Sequence, residues 1–327
     1  MPVTRRATLI GLAGIAGPLA GCVSQSALPG PTIMPPTETP DAFLMRDGAR
    51  LPYRRWMPEG EIHTVMLALH GFNDSRDAWA IPAPDWASRG IAVYAPDLRG
   101  FGASPGRALW AGGAAMAQDA ADMARLLRAR HPGMRLVLLG ESMGGAIAML
   151  AATRFACDVD AYVLSAPAVW GRARMNWMMQ AALWTAATLV PGLAVGRGPV
   201  RITPSDNTEA LIALSRNPRT IRTTRFDTLR GLVDLMDDAL RVAPDFTAPG
   251  LFLYGGHDEL VPAQATRALW QRLPTPALRA FYPNGYHLLT RDLGRAAPIA
   301  DIAAFALHGT QPTSAMQAAC DWVKQPG

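Results

Sequence analysis

Lysine is nearly missing from this chain. Of its 31 basic side chains only Lys324 is a lysine, and the rest are arginine. The body therefore offers no Schiff-base lysine and no G-x-x-x-x-G-K-S/T phosphate loop. Cysteine is scarce too. Cys22, Cys157 and Cys320 are too few for a disulfide framework or a Cys-rich zinc module. No His/Asp/Glu group has the spacing of a metal motif such as H-E-x-x-H. No G-x-G-x-x-G fingerprint leads from a strand into a helix, and nothing interleaves basic and aromatic residues as a nucleic-acid module does. No metal, no cofactor and no nucleic-acid partner is expected. Charged residues make up only 17% of the chain and hydrophobic ones 50%, with a net charge of +5, which excludes a disordered polymer. At 327 residues there is material for one large α/β domain or two ordinary ones.

The first 22 residues read as an address. Arg5 and Arg6 precede an apolar run over residues 7–20, shorter than the ~20 residues that a membrane span needs and fitting a secretory signal. Leu19-Ala20-Gly21-Cys22 resembles the lipobox of bacterial lipoproteins, which implies a signal peptide over 1–21 and lipidation at Cys22. The Arg5-Arg6 pair followed by Leu9 also resembles a twin-arginine export signal. An ordinary export signal with a chance cysteine is the competing reading. The lipobox reading puts the protein in the bacterial cell envelope, lipid-anchored to the membrane on the periplasmic side. Residues 22–40, rich in Pro, Ser and Thr, read as an extended tether. Cys157 and Cys320 are expected as separate small residues rather than a pair.

From Asp41 on, short β-rich apolar runs at 65–69, 91–95, 136–139, 161–164, 251–254 and 278–282 alternate with amphipathic helical stretches. That alternation predicts an α/β fold, a mostly parallel sheet of eight strands with helices on both faces. Asp47-Gly48 marks a hairpin turn at one edge. Between residues 168 and 248 no clear strand occurs. So long an interval between neighbouring strands predicts an inserted helical cap, leaving 41–167 and 249–327 as the core. The cap opens with an apolar, aromatic stretch at 175–190.

The sharpest motif is Gly140-Glu141-Ser142-Met143-Gly144-Gly145. It follows the strand at 136–139 and opens a helix, the context of a nucleophile elbow. A serine at a helix N-terminus meets free N–H groups and a dipole that favours negative charge. A second match, Gly102-Ala103-Ser104-Pro105-Gly106, has no strand running into it, and Pro105 lacks the N–H that an oxyanion would need. Ser142 is the candidate nucleophile. His287, after the last strand, is the candidate base, and Asp258, after the strand at 251–254, the acid that orients it. The N–H groups of Phe72 and Met143 are the candidate oxyanion donors, with His70 structural.

Together, His70-Gly71-Phe72, the run from Asp97 to Ser104, the elbow, the Asp258 loop and Gly285-Tyr286-His287 resemble the α/β-hydrolase superfamily over residues 41–307. Within it they resemble the monoacylglycerol lipase and lysophospholipase branch. The resemblance implies a serine hydrolase acting on lipid-like acyl esters, with Asp97 and Arg99 as scaffold. Glu141, where some members carry His, and Phe72, where others carry a small residue, depart from the pattern. A small-ester esterase or peptidase on the same fold, or an inactive membrane-tethered binding protein, are the alternatives; the last should have lost one of Ser142, Asp258 or His287. The cap carries ten arginines against seven acids. That suits docking on anionic lipid as well as it suits a solvated surface.

Overall fold

In the computed structural model, residues 23–196, 202–274, 277–310 and 313–324 are described. The proposed signal peptide and Cys22 lie outside them. The strands are β1 (Thr37–Glu38), β2 (Ala42–Leu44), β3 (Arg50–Trp56), β4 (Thr64–Leu69), β5 (Ile91–Pro96), β6 (Arg135–Glu141), β7 (Ala161–Ser165), β8 (Ala194–Val195), β9 (Thr224–Arg225), β10 (Gly250–Gly255) and β11 (Leu278–Tyr282). The helices are α1 (Pro82–Ser88), α2 (Gly113–Arg130), α3 (Met143–Arg154), α4 (Trp177–Leu189), α5 (Thr208–Arg216), α6 (Phe226–Val242), α7 (Ala263–Arg272), α8 (Ala296–His308) and α9 (Thr313–Lys324).

One sheet runs in the order β1-β2-β3-β5-β4-β6-β7-β10-β11. From β5 to β11 all pairings are parallel, while β1, β2 and β3 form an antiparallel edge. The architecture is the expected one, but the described sheet has nine strands, not eight. The ninth is β1, which lies within the stretch that composition marks as tether.

The central strands are apolar between their ends because both faces are covered. In β4, Val65, Leu67 and Leu69 join the core beneath α2 and α3, while Met66 and Ala68 join the core beneath α1 and α8. The order of connection reverses at β4, which has β5 on one side and β6 on the other. A crevice opens beyond the C-terminal ends of the strands at such a switch point.

Residues 23–40 are extended but not loose. Ala27 N–H donates to the Trp110 carbonyl at 2.9 Å, Gly30 N–H to Asp47 at 3.1 Å, and Ile33 N–H to the Arg46 carbonyl at 2.8 Å. Proline-rich chain cannot build a core, yet its remaining N–H groups find acceptors along the body. At the far end, Gln25 N–H donates to Asp227 and Arg225 donates to the Val23 carbonyl. The strap thus ends on the cap.

The cap contains α4, α5, α6 and a two-residue ribbon, β8 with β9, too short for a sequence pattern to register. Helix α6 is amphipathic and packs Leu232, Leu235 and Ala239 into the main core. Helix α4 buries only Ala187. Trp177 is 75% exposed and Trp184 62%, with Met178 and Leu189 also open to solvent. Among the described residues no helix is long and apolar enough to cross a membrane. Cys157 and Cys320 are both free thiols, and burial pushes Cys157 up to about 11.

Candidate active site

Strand β6 runs directly into α3, and Ser142 sits at the junction as the N-cap residue with φ of +53°. This left-handed conformation is costly for a residue with a Cβ and persists only where its surroundings enforce it. The flanking glycines supply that enforcement. A Cβ on Gly140 would stand 2.4 Å from the Gly144 carbonyl oxygen, and one on Gly144 would stand 2.2 Å from the Leu69 carbonyl oxygen. The helix can pack against β6 and the end of β4 only with hydrogen at both positions. The serine is held by its own backbone: Ser142 N–H donates to the Ser165 carbonyl, and its carbonyl accepts from Ala146 and Ala168.

The second G-x-S-x-G match is a turn, as its context predicts. Ser104 is buried, with its hydroxyl donated to the Asp97 carbonyl at 2.7 Å. Asp97 accepts from Arg76 N–H and Ala103 N–H, and Arg99 forks onto both Asp47 and Asp119 in the interior. Both are used to fix loops.

His287 lies on the loop after β11, and Asp258 on the loop after β10. The His287 Nδ1–H donates to Asp258 Oδ2 at 2.8 Å, and both side chains are buried. The other carboxylate oxygen, Oδ1, accepts from the N–H groups of Leu260 and Val261, each at 2.8 Å. With Nδ1 engaged, Nε2 is the ring nitrogen left to exchange a proton. Burial disfavours the charged ring, but the carboxylates of Asp258 and then Glu141 outweigh it. The proton affinity of His287 therefore lies above that of an ordinary histidine.

His70 is the first residue after β4 and is wholly buried. Leu98 N–H donates to its Nε2 at 3.0 Å, and Nδ1 lies 2.8 Å from the Gly71 carbonyl. Both nitrogens are committed, and burial pushes its pKa down, so this histidine stays neutral and structural. It aims the following residues at the elbow: a Cβ on Gly71 would lie 3.4 Å from the Ser142 Cβ. Phe72 follows, its ring packed edge-on against Phe101 at 5.6 Å. Met143 is the first residue of α3, and its N–H is one of the first-turn donors that the helix leaves unpaired.

Ser142, His287 and Phe72 line one cavity of about 600 Å³ between the sheet edge and the cap. Its walls include Val195, Ile221, Leu232, Met236 and Leu288, an apolar lining suited to an acyl chain. Among the described hydrogen bonds none joins Ser142 to His287; they meet by facing the same space. The cap is tied to the loops below it. Ile221 N–H donates to the Asn73 carbonyl, Leu288 N–H to the Pro204 carbonyl, and Asn207 to the Arg291 carbonyl. Sequence reasoning missed a polar cluster in this cavity, made by Asp74, Glu141 and Arg291. Their numbers are far apart, and no spacing flags them.

Known proteins are similar in sequence and in fold. A monoacylglycerol lipase of Mycolicibacterium smegmatis is 26% identical over 264 residues, which cover 77% of this chain and 90% of that protein. The monoglyceride lipase of Homo sapiens is 26% identical over 261 residues, 76% of this chain and 82% of its own. Among solved structures, the monoacylglycerol lipase of Paleococcus ferrophilus superposes with a TM-score of 0.67 at 20% identity, over 80% of this chain and 99% of that one. A soluble variant of monoglyceride lipase from Saccharomyces cerevisiae superposes with a TM-score of 0.68 at 17% identity, over 85% and 98%. These likenesses establish the α/β-hydrolase fold. The family described as Serine aminopeptidase, S33 matches residues 60–294, and with that match the chain belongs to this family of α/β-hydrolases.

Proposed function

We propose that this protein is a serine ester hydrolase that cleaves monoacylglycerol-like lipid esters through an acyl-enzyme on Ser142. The observation that carries the reading is the buried Asp258–His287 pair, facing the same apolar cavity as a strained, helix-capping serine. Its relatives among monoacylglycerol lipases support the substrate class.

In this mechanism Ser142 Oγ attacks the ester carbonyl while its proton passes to His287 Nε2. The N–H groups of Phe72 and Met143 hold the oxyanion. The C–O bond to the alcohol breaks as His287 returns the proton to it. Water, activated by the same imidazole, then releases the fatty acid. Asp258 keeps Nδ1 protonated and stabilises the transient imidazolium. An aminopeptidase would need a free carboxylate for the substrate's amino group. The two carboxylates that line the cavity, Asp74 and Glu141, are each paired with the Arg291 guanidinium and so already neutralised. A panel of monoacylglycerols, lysophospholipids, short aryl esters and amino-acid anilides tests the reading. Preference for monoacylglycerol is expected. Turnover confined to the anilides, or failure of a fluorophosphonate probe to label the protein, would defeat it.

The envelope location is part of the same proposal. Cys22 directly precedes Val23, whose carbonyl is bound by Arg225 in the cap ribbon. The opposite strand of that ribbon carries Val195, which lines the cavity. Val23 is thus held on the ribbon whose other strand borders the cavity. That geometry suits an enzyme that draws its substrate from a bilayer. Cys22→Ser should release the protein from membranes or stall its processing; an unmodified Cys22 in membrane-extracted protein, seen by mass spectrometry, would remove the anchor.

A further inference from the structure

Three loops build the site: the one after β4, the elbow after β6, and the one that carries His287. A single guanidinium reaches all three. Arg291 lies four residues beyond His287 and is buried. Its Nη1 donates to Asp74 Oδ2 at 2.7 Å, and its Nη2 donates to Glu141 Oε1. Asp74 directly follows Gly71-Phe72-Asn73, and Glu141 directly precedes Ser142. The Arg291 carbonyl also accepts from Asn207 at the start of α5, so the cap is attached to the same point.

Arginine is the only side chain able to do this. Its planar fork presents separate N–H groups to separate carboxylates, whereas an ammonium is a point charge. Arg99 also bridges two carboxylates and only fixes loops; what sets Arg291 apart is that its two carboxylates lie on the two loops that flank the reacting serine. Neither Glu141 Oε2 nor Arg291 Nε has a partner among the described residues, although both are buried.

We propose that Arg291 is a positioning residue of the reaction. Through Asp74 and Glu141 it holds the oxyanion loop, the nucleophile elbow and the base loop in one register, at the wall of the cavity that Glu141 and His287 both line. This rests on the serine-hydrolase reading of the same site. The charged groups around His287 are Asp258 from the loop after β10, Glu141 from the elbow and Arg291 from its own loop. Asp74 is bound to the other nitrogen of the Arg291 fork. Glu141 favours the imidazolium and Arg291 opposes it. The neutral ring is the active form, so activity disappears as pH falls through the His287 pKa. Removing the Glu141 charge lowers that pKa and must move the acid limb to lower pH.

Glu141→Gln and Arg291→Lys test this against wild type, read as kcat/KM for a short soluble aryl ester across pH, with thermal melts to establish folding. Glu141→Gln is isosteric and keeps an acceptor for Arg291. Its acid limb should move down by about half a pH unit or more. Arg291→Lys keeps the charge but loses the fork; kcat should fall at least ~10-fold with KM little changed, because misplacement acts on the transition state. A folded Glu141→Gln protein whose acid limb coincides with wild type would overturn the role of Glu141. A folded Arg291→Lys protein with wild-type kcat would overturn the register. Ser142→Ala in the same assay separates these outcomes from failure of the hydrolase reading, since only that failure leaves Ser142→Ala active.

Discussion

The floor and the roof of the cavity are made differently. The floor is the C-terminal edge of a sheet whose strands are buried on both faces, with Ser142 and Asp258 held by backbone hydrogen bonds and His287 held by Asp258. The roof is a cap whose first helix turns Trp177 and Trp184 to solvent. Tryptophan occurs in both regions and does opposite things. Trp86 in α1 is fully buried, donates its indole N–H to the Ile299 carbonyl at 3.0 Å and packs on Trp79. It belongs to folding. Trp184 touches water at a site where folding gains little from it, and with Trp177, Met178 and Leu189 it forms an exposed apolar face.

The largest effects should come from the floor. His287→Ala should lower kcat by about a thousandfold or more with the fold intact, and Asp258→Asn should be severely impaired because the wrong tautomer is favoured. Steady-state kinetics on folded proteins would check both. A near-wild-type Asp258→Asn would place the orienting acid elsewhere.

Stability should divide along the same line. Trp86→Ala removes a buried indole and its hydrogen bond and should cost ~3–5 kcal/mol. The double change Trp177→Ala with Trp184→Ala should alter stability by less than about 1 kcal/mol, because neither ring is buried. Denaturant unfolding of the two variants side by side decides the matter; similar losses would mean that α4 is structural.

On substrates the order should reverse. The Trp177→Ala, Trp184→Ala pair should weaken turnover of long-chain, aggregated esters well beyond its effect on a short soluble ester, which needs only the floor. Equal proportional losses on the two substrates would dissolve the distinction between floor and roof.

Much of the floor is legible in the sequence, for physical reasons. Strands covered on both faces must be apolar along their middles, so β4 to β7 and β10 stand out as apolar runs. The elbow is legible because close packing forbids a Cβ at Gly140 and Gly144. Asp258 and His287 are found by their place after strands. The Asp74–Glu141–Arg291 cluster is not legible, because ion pairs between distant positions leave no periodicity. The strap at 23–40 reads as free tether because composition reports core-forming capacity and not backbone hydrogen bonds. Apolar content at 175–190 predicts a helix correctly, but the same content fits a buried helix and an exposed one.

The most direct measurement is intact-protein mass spectrometry of wild type and Ser142→Ala mixed with a monoacylglycerol and quenched within the first turnovers, with fatty-acid release followed in parallel. The account predicts release by wild type, an acyl adduct mapped by peptide fragmentation to Ser142, and neither in the folded Ser142→Ala protein. Sustained release of fatty acid by Ser142→Ala would contradict it.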